Sequence, residues 1–152
     1  MRSMLIGVIS DTHGLIRPEA LTAFRGVEVV FHGGDIGASE VLKALEGIAP
    51  VMVVRGNCDR DNRYEGIPLW RIEEAGEKRF LLVHDVKELK NIDEPVDVVI
   101  TGHSHQPRVY EKDGVLYMNP GSAGPRRFKL PVTVGRIRVE KGILIPEVIP
   151  LL

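Results

Sequence analysis

The segment Met4-Leu5-Ile6-Gly7-Val8-Ile9-Ser10-Asp11-Thr12-His13 is an apolar run that stops at an acid and an imidazole two residues apart. A run of this length without polar alternation suits a strand buried on both faces. Four more short runs follow the same plan, at residues 27–31, 51–54, 80–83 and 96–100. They end in His32-Gly33-Gly34-Asp35, Gly56-Asn57-Cys58-Asp59, His84, and Gly102-His103-Ser104-His105. In open α/β sheets ligands bind just beyond the carboxyl ends of the strands. Five segments would therefore present oxygen and nitrogen atoms to one crevice.

The intervening residues read as crossovers. Residues 18–24 predict a helix opened by Pro18 and stopped at Gly26. Residues 39–45 predict a second, in which Val41, Leu42, Leu45 and Ile48 make one apolar stripe ahead of a stop at Gly47. Strand, helix, strand, helix, strand implies right-handed parallel connections. The second half is richer in hairpins. Residues 69–72 and 79–83 flank Gly76-Glu77-Lys78, and residues 108–111 and 115–118 flank Lys112-Asp113-Gly114. Residues 132–139 and 143–149 flank Lys141-Gly142. The expected fold is α/β, with one mostly parallel and one mostly antiparallel sheet covered by helices. Residues 1–152 read as a single domain without repeat or linker.

Composition narrows the function. The 152 residues are 43% hydrophobic and 27% charged, with a net charge of −1. That balance lacks the basic footprint of a dedicated nucleic-acid surface, so a polyanionic partner must be held locally, for instance by metals. Cys58 is the only cysteine, which forbids an intramolecular disulfide and fits a reducing, cytoplasmic setting. Arg2 precedes the first apolar run, but the run is too short for a secretory signal. No segment has the length to span a bilayer, and the apolar C-terminus is interrupted by Pro146, Glu147 and Pro150.

The polar clusters have the chemistry of metal ligands. Asp11 and His13 are two apart as a strand exits, so both side chains are expected to face one ion. His103 and His105 repeat this spacing, with Gly102 freeing the turn. Gly33, Gly34 and Gly56 are expected to let the backbone approach closely and leave room for a phosphate. Carboxylate, imidazole and amide donors suit Mn²⁺, Fe²⁺, Ni²⁺ or Zn²⁺. An isolated Asp-x-His or Gly-Asp is more often a solvated turn. Here the clusters recur in order at strand ends, and four of the chain's five histidines are candidate ligands.

With those residues assembled, the sequence resembles the calcineurin-like metallophosphoesterases, in particular their compact single-domain phosphodiesterases. The resemblance rests on Ser10-Asp11-Thr12-His13-Gly14, His32-Gly33-Gly34-Asp35, Val54-Arg55-Gly56-Asn57-Cys58-Asp59, Leu82-Val83-His84, Thr101-Gly102-His103-Ser104-His105 and Asn119-Pro120-Gly121-Ser122. It implies a four-layer α/β/β/α sandwich of two mixed sheets flanked by helices. It also implies two divalent cations, Mn²⁺ being the first expectation. Asp11, His13, Asp35 and His105 would surround one; Asp35, Asn57, His84 and His103 the other, with Asp35 shared. Asn57 and His103 would also act on the phosphate, and Cys58 would contact it. The implied activity is hydrolysis of a small phosphodiester by a hydroxide bridging the two ions.

Two positions depart from the family pattern. Many relatives have histidine where this chain has Cys58, and that histidine is thought to protonate the leaving group. Relatives usually have glycine at the position of Asp85. Asp59 is expected to orient Asn57 or a ligand, and His32 to serve a structural role. Trp70 and Tyr64 read equally as core residues or base-stacking platforms. The competing readings are a phosphomonoesterase and a non-catalytic scaffold like the retromer subunit of the same fold. The filled ligand positions disfavour the scaffold. The sequence leaves homo-oligomerisation open.

Overall fold

The structure is a computed structural model describing residues 3–152; Arg2 lies outside them. Ten strands and two short α-helices follow one another as β1 (Met4–Ile9), α1 (Pro18–Ala23), β2 (Val29–His32), α2 (Ser39–Glu46), β3 (Val51–Val53), β4 (Trp70–Ala75), β5 (Lys78–Val83), β6 (Val98–Ile100), β7 (Arg108–Lys112), β8 (Val115–Asn119), β9 (Thr133–Glu140) and β10 (Ile143–Pro150). Short 3₁₀ helices occupy Asn62–Tyr64 and Val86–Asn91. The strands form two five-stranded sheets, ordered β10-β9-β1-β2-β3 and β4-β5-β6-β8-β7.

Both sheets are mixed, and this corrects the expectation of one mostly parallel and one mostly antiparallel sheet. β1 and β3 pair parallel to β2, while β9 pairs antiparallel to both β1 and β10. In the second sheet β6 pairs parallel to β5 and to β8, and the hairpin partners β4 and β7 close its edges. The C-terminal hairpin thus extends the first sheet, and β8 continues the parallel centre of the second. All three hairpins turn through two residues of positive φ, at Gly76-Glu77, Asp113-Gly114 and Lys141-Gly142. That is the turn whose twist matches the flanking strands.

The period-2 alternation of each strand sorts the core into layers. Ile6 and Val8 of β1 join Phe31, Phe80, Leu82, Ile100 and Met118 between the sheets. Ile9 and Val30 face the other way, onto Ala20, Phe24, Val41 and Leu45 of the helical layer. Gly7 allows this packing, because a Cβ there would stand 3.0 Å from the Phe24 ring. On the far side Leu81, Val83 and Val99 are covered by Leu89 and Ile92. This fourth layer is thin, since the segment from residue 86 to 94 makes only a 3₁₀ helix. The carboxyl ends of β1, β2, β3, β5 and β6 lie along one edge of the sandwich.

Candidate metal centre

The site grows from that edge. Asp11 and His13 follow β1, Asp35 follows β2, and Asn57 and Cys58 follow β3; His84 follows β5, and His103 and His105 follow β6. Within each sheet, neighbouring loop ends are tied to one another by backbone hydrogen bonds. Asp11 N–H donates to Gly34 O at 2.9 Å, and Gly102 N–H to His84 O at 2.9 Å. His103 N–H reaches across the sheets to Asp11 Oδ2 at 3.1 Å.

The two carboxylates are anchored alike. Asp11 offers Oδ2 to the His103 N–H, and Asp35 offers Oδ1 to the Cys58 N–H at 2.9 Å. Each keeps its second oxygen for the centre. Asp11 Oδ1 lies 3.9, 3.8 and 3.5 Å from Nε2 of His13, His84 and His105. Asp35 Oδ2 lies 3.6 and 3.2 Å from Nε2 of His13 and His84. The Nε2 atoms of His13 and His105 are 3.3 Å apart. Donors around an ion with bonds of about 2.1 Å stand roughly 3.0–3.4 Å from one another, so this spacing is that of a slightly open coordination shell.

The donor chemistry asks for a cation. Asp11 Oδ1 and His84 Nε2 are buried with no hydrogen-bond partner among the described residues. His84 Nδ1–H donates to Gly33 O at 2.7 Å, which turns the Nε2 lone pair toward the two carboxylates. Lone pairs meeting head-on repel unless a proton or a metal lies between them. Burial pushes the Asp11 carboxyl up to about 6, despite the opposing effect of His84. Burial also opposes charge on His84, but the nearby carboxylate of Asp35, with that of Asp11, outweighs it and raises its pKa. Asp35 is held at about 2, where His84 and the Cys58 N–H overcome burial. His105 is lowered to about 4 by burial and then by the charge of Arg127. The residues therefore fit divalent metal.

Three groups of donor atoms each lie within 4.8 Å of one another: Asp11, His13 and His105; Asp11, Asp35 and His84; and His13, Asp35 and Cys58. Asn57 and His103 form a separate contact, His103 Nδ1 to Asn57 Oδ1 at 3.1 Å. The His103 ring meets that of His84 edge-on at 5.2 Å. Both Asn57 and His103 are exposed, on the open side where a substrate would arrive. The exposed Cys58 thiol faces His13 and Asp35, and partial desolvation, then the Asp35 charge, push its pKa up.

The supporting residues follow their sequence reading in part: His32 is structural, while Gly56 and Gly102 serve reasons the sequence did not show. Of the two expectations for Asp59 the second holds: its carboxylate takes the N–H groups of the candidate ligand Asp35 and of Ile36 and Gly56 at 2.8–2.9 Å, locking the second and third loops together. Gly56 makes room for the Asp35 carboxylate rather than for phosphate, because a Cβ there would collide with Asp35 Oδ1. Gly102 is likewise required by space: its φ is not positive, and a Cβ would strike Ser10 Oγ. His32 is buried, accepting at Nδ1 from the Gly34 N–H at 3.0 Å and contacting Thr12 Oγ1 through Nε2 at 3.1 Å. Asn119 and Ser122 brace the loops that carry the site. Asn119 Nδ2 donates to Gly102 O and Ser104 Oγ, and Ser122 Oγ donates to Asp11 O.

Comparison with known proteins agrees with this centre. Residues 4–142 match the model of the calcineurin-like phosphoesterase superfamily domain. The chain is 41% identical to a probable metallophosphoesterase of Methanothermobacter thermautotrophicus, covering 91% of this chain and 88% of that one. A solved archaeal phosphodiesterase superposes with a TM-score of 0.79 at 28% identity, covering 96% of this chain and all of that one (100%). Vacuolar protein sorting 29 of Cryptosporidium parvum superposes with a TM-score of 0.75 over 96% of each chain. At 21% identity that last likeness shows the fold alone. The chain belongs to the calcineurin-like phosphoesterase superfamily, and is a metal-dependent phosphoric ester hydrolase.

Proposed function

We propose that the chain is a dinuclear phosphodiesterase that acts on a small phosphodiester in the cytoplasm, with Mn²⁺ as its preferred ion. The observation that carries this is the meeting of Asp11 Oδ1, Asp35 Oδ2 and three imidazole Nε2 atoms at separations of 3.2–3.9 Å. Asp11, His13, Asp35 and His105 would hold one ion, and Asp35, Asn57, His84 and His103 the second. Such a pair of cations activates water near neutral pH and neutralises charge on the phosphoryl oxygens.

The chain's own groups do the positioning. The Cys58 N–H fixes Asp35 so that Oδ2 serves the centre, and Gly33 O fixes the His84 tautomer. The exposed amide of Asn57 and imidazole of His103 meet the phosphate as its charge grows in the transition state. Cys58 faces the same space with a neutral thiol, whose ordinary pKa of about 8.5 makes it a weak acid for an alkoxide leaving group. A diester with a good leaving group needs that help least, so diesters are favoured over monoesters. The likeness to the solved archaeal phosphodiesterase supports the same choice. A single free cysteine is compatible with a reducing compartment.

The test is to strip the protein with chelator, verify the loss by metal analysis, and add back Mn²⁺, Ni²⁺ or Zn²⁺. The stripped protein should be inactive toward bis(p-nitrophenyl) phosphate and Mn²⁺ should restore it best. The restored protein should act poorly on p-nitrophenyl phosphate. Full activity without metal contradicts the mechanism, and preferential monoester hydrolysis contradicts the substrate class.

A further inference from the structure

Beside the metal centre lies a cavity of about 380 Å³ that shares Asn57, His84 and His103 with it. Its other wall is Leu69, Trp70 and Ile92. The register explains the placement: Trp70 opens the edge strand β4 directly opposite Val83, the residue before His84. Trp70 is 42% exposed and Leu69 61% exposed, although both are large and apolar. Arg55 lines the same cavity, and its Nε is buried without a hydrogen-bond partner among the described residues. A buried donor left unpaired is costly, so its retention beside an open cavity points to a ligand acceptor. Asp85 and Glu88 also line it.

Resting on the phosphodiesterase reading, we propose that this cavity is a subsite for the heteroaromatic base of a nucleoside esterified to the scissile phosphate, stacked on Trp70. Because the cavity shares Asn57, His84 and His103 with the metal centre, an arm of a phosphoryl group bound there reaches directly into it. A phosphodiester has a second ester arm that needs such a place. The carboxylates of Asp85 and Glu88 repel an arm bearing further negative charge. An alkyl arm would leave the Arg55 Nε unpaired. A neutral planar base with ring acceptors meets both conditions, since it stacks on the indole and accepts from the guanidinium. Pockets of roughly 300–1,000 Å³ with an apolar wall and a few polar groups are the usual form of small-ligand sites.

Trp70 is the chain's only tryptophan, so its fluorescence reports on this cavity alone. Titration of the Mn²⁺-loaded protein with adenosine 5′-monophosphate should change the emission saturably, and ribose 5-phosphate should not. Arg55→Gln should weaken the adenylate titration about tenfold. In parallel, kcat/KM is measured for thymidine 5′-(p-nitrophenyl) phosphate and for ethyl p-nitrophenyl phosphate, which share a leaving group. The nucleoside ester should be preferred. Trp70→Ala should reduce that preference on the order of tenfold to a hundredfold, the usual loss for a stacked base, and Trp70→Phe should restore most of it. Equal emission changes with both ligands, or a preference untouched by Trp70→Ala, overturn the subsite. Equal hydrolysis of both diesters overturns the subsite and leaves the phosphodiesterase reading standing. Hydrolysis of neither, with the adenylate response intact, overturns the phosphodiesterase reading and leaves a nucleoside-binding subsite.

Discussion

Asp11, His13, Asp35, His103 and His105 adopt φ values of 56°, 45°, 59°, 73° and 63°, in the left-handed region that non-glycine residues avoid. Each such residue costs on the order of 1–3 kcal/mol and persists where its surroundings demand it. The chain bends sharply at every one of these positions, and the bends, rather than strand alternation, bring Asp11 and His13 together. That geometry is invisible in the spacing, which suggested an extended Asp-x-His; only the residue types hint at it, since Asp and His tolerate this region best. His32 belongs to the same scale. Its Nδ1 accepts from Gly34 N–H, so the ring is neutral, and burial followed by the charge of His84 lowers its pKa from 6.5 to about 3. Below about pH 6.5 the unfolded chain takes up a proton that the folded ring refuses. Stability therefore falls as pH drops through that window and recovers as pH rises. In metal-free protein, His32→Gln should flatten the pH dependence of urea unfolding by up to about 1.4 kcal/mol per pH unit between pH 6 and 4. Identical slopes in both proteins would show that His32 is not held neutral.

At the scale of elements, the strands were the legible part. Buried apolar runs ending in polar clusters placed β1, β2, β3, β5 and β6 to within two residues at each boundary, and the short glycine-bearing turns announced all three hairpins. Sheet composition was less legible, because pairing between segments remote in sequence, such as β9 with β1 and β8 with β6, leaves no local signature. The reason for the glycines was also hidden. A sequence shows that a loop is glycine-rich, but the neighbour that needs the space sits on another element. Gly56 illustrates this, being backed by the Asp35 carboxylate of the preceding loop. Gly56→Ala should displace Asp35 and disturb the Gly56 N–H bond to Asp59, costing about 10- to 100-fold in metal affinity, as losing an orienting partner does. Competition with a metal indicator dye measures it. Unchanged affinity would mean that Asp35 is not seated by this close approach.

At the scale of the molecule, the inter-sheet core of Ile6, Val8, Phe31, Phe80, Leu82 and Ile100 holds two half-sites in register. Asp11, His13, Asp35 and Asn57 come from the first sheet, and His84, His103 and His105 from the second. Neither sheet alone carries either of the proposed donor sets, so on this proposal the sandwich itself assembles the centre. The central claim is that two ions share Asp35 at this junction. Crystals grown with Mn²⁺ and measured for anomalous scattering test it most directly. Two peaks about 3.5–4 Å apart are expected. One should sit among Asp11, His13 and His105, the other among Asn57, His84 and His103, with Asp35 in contact with both. A single peak, or a pair of peaks that Asp35 does not bridge, would contradict the account.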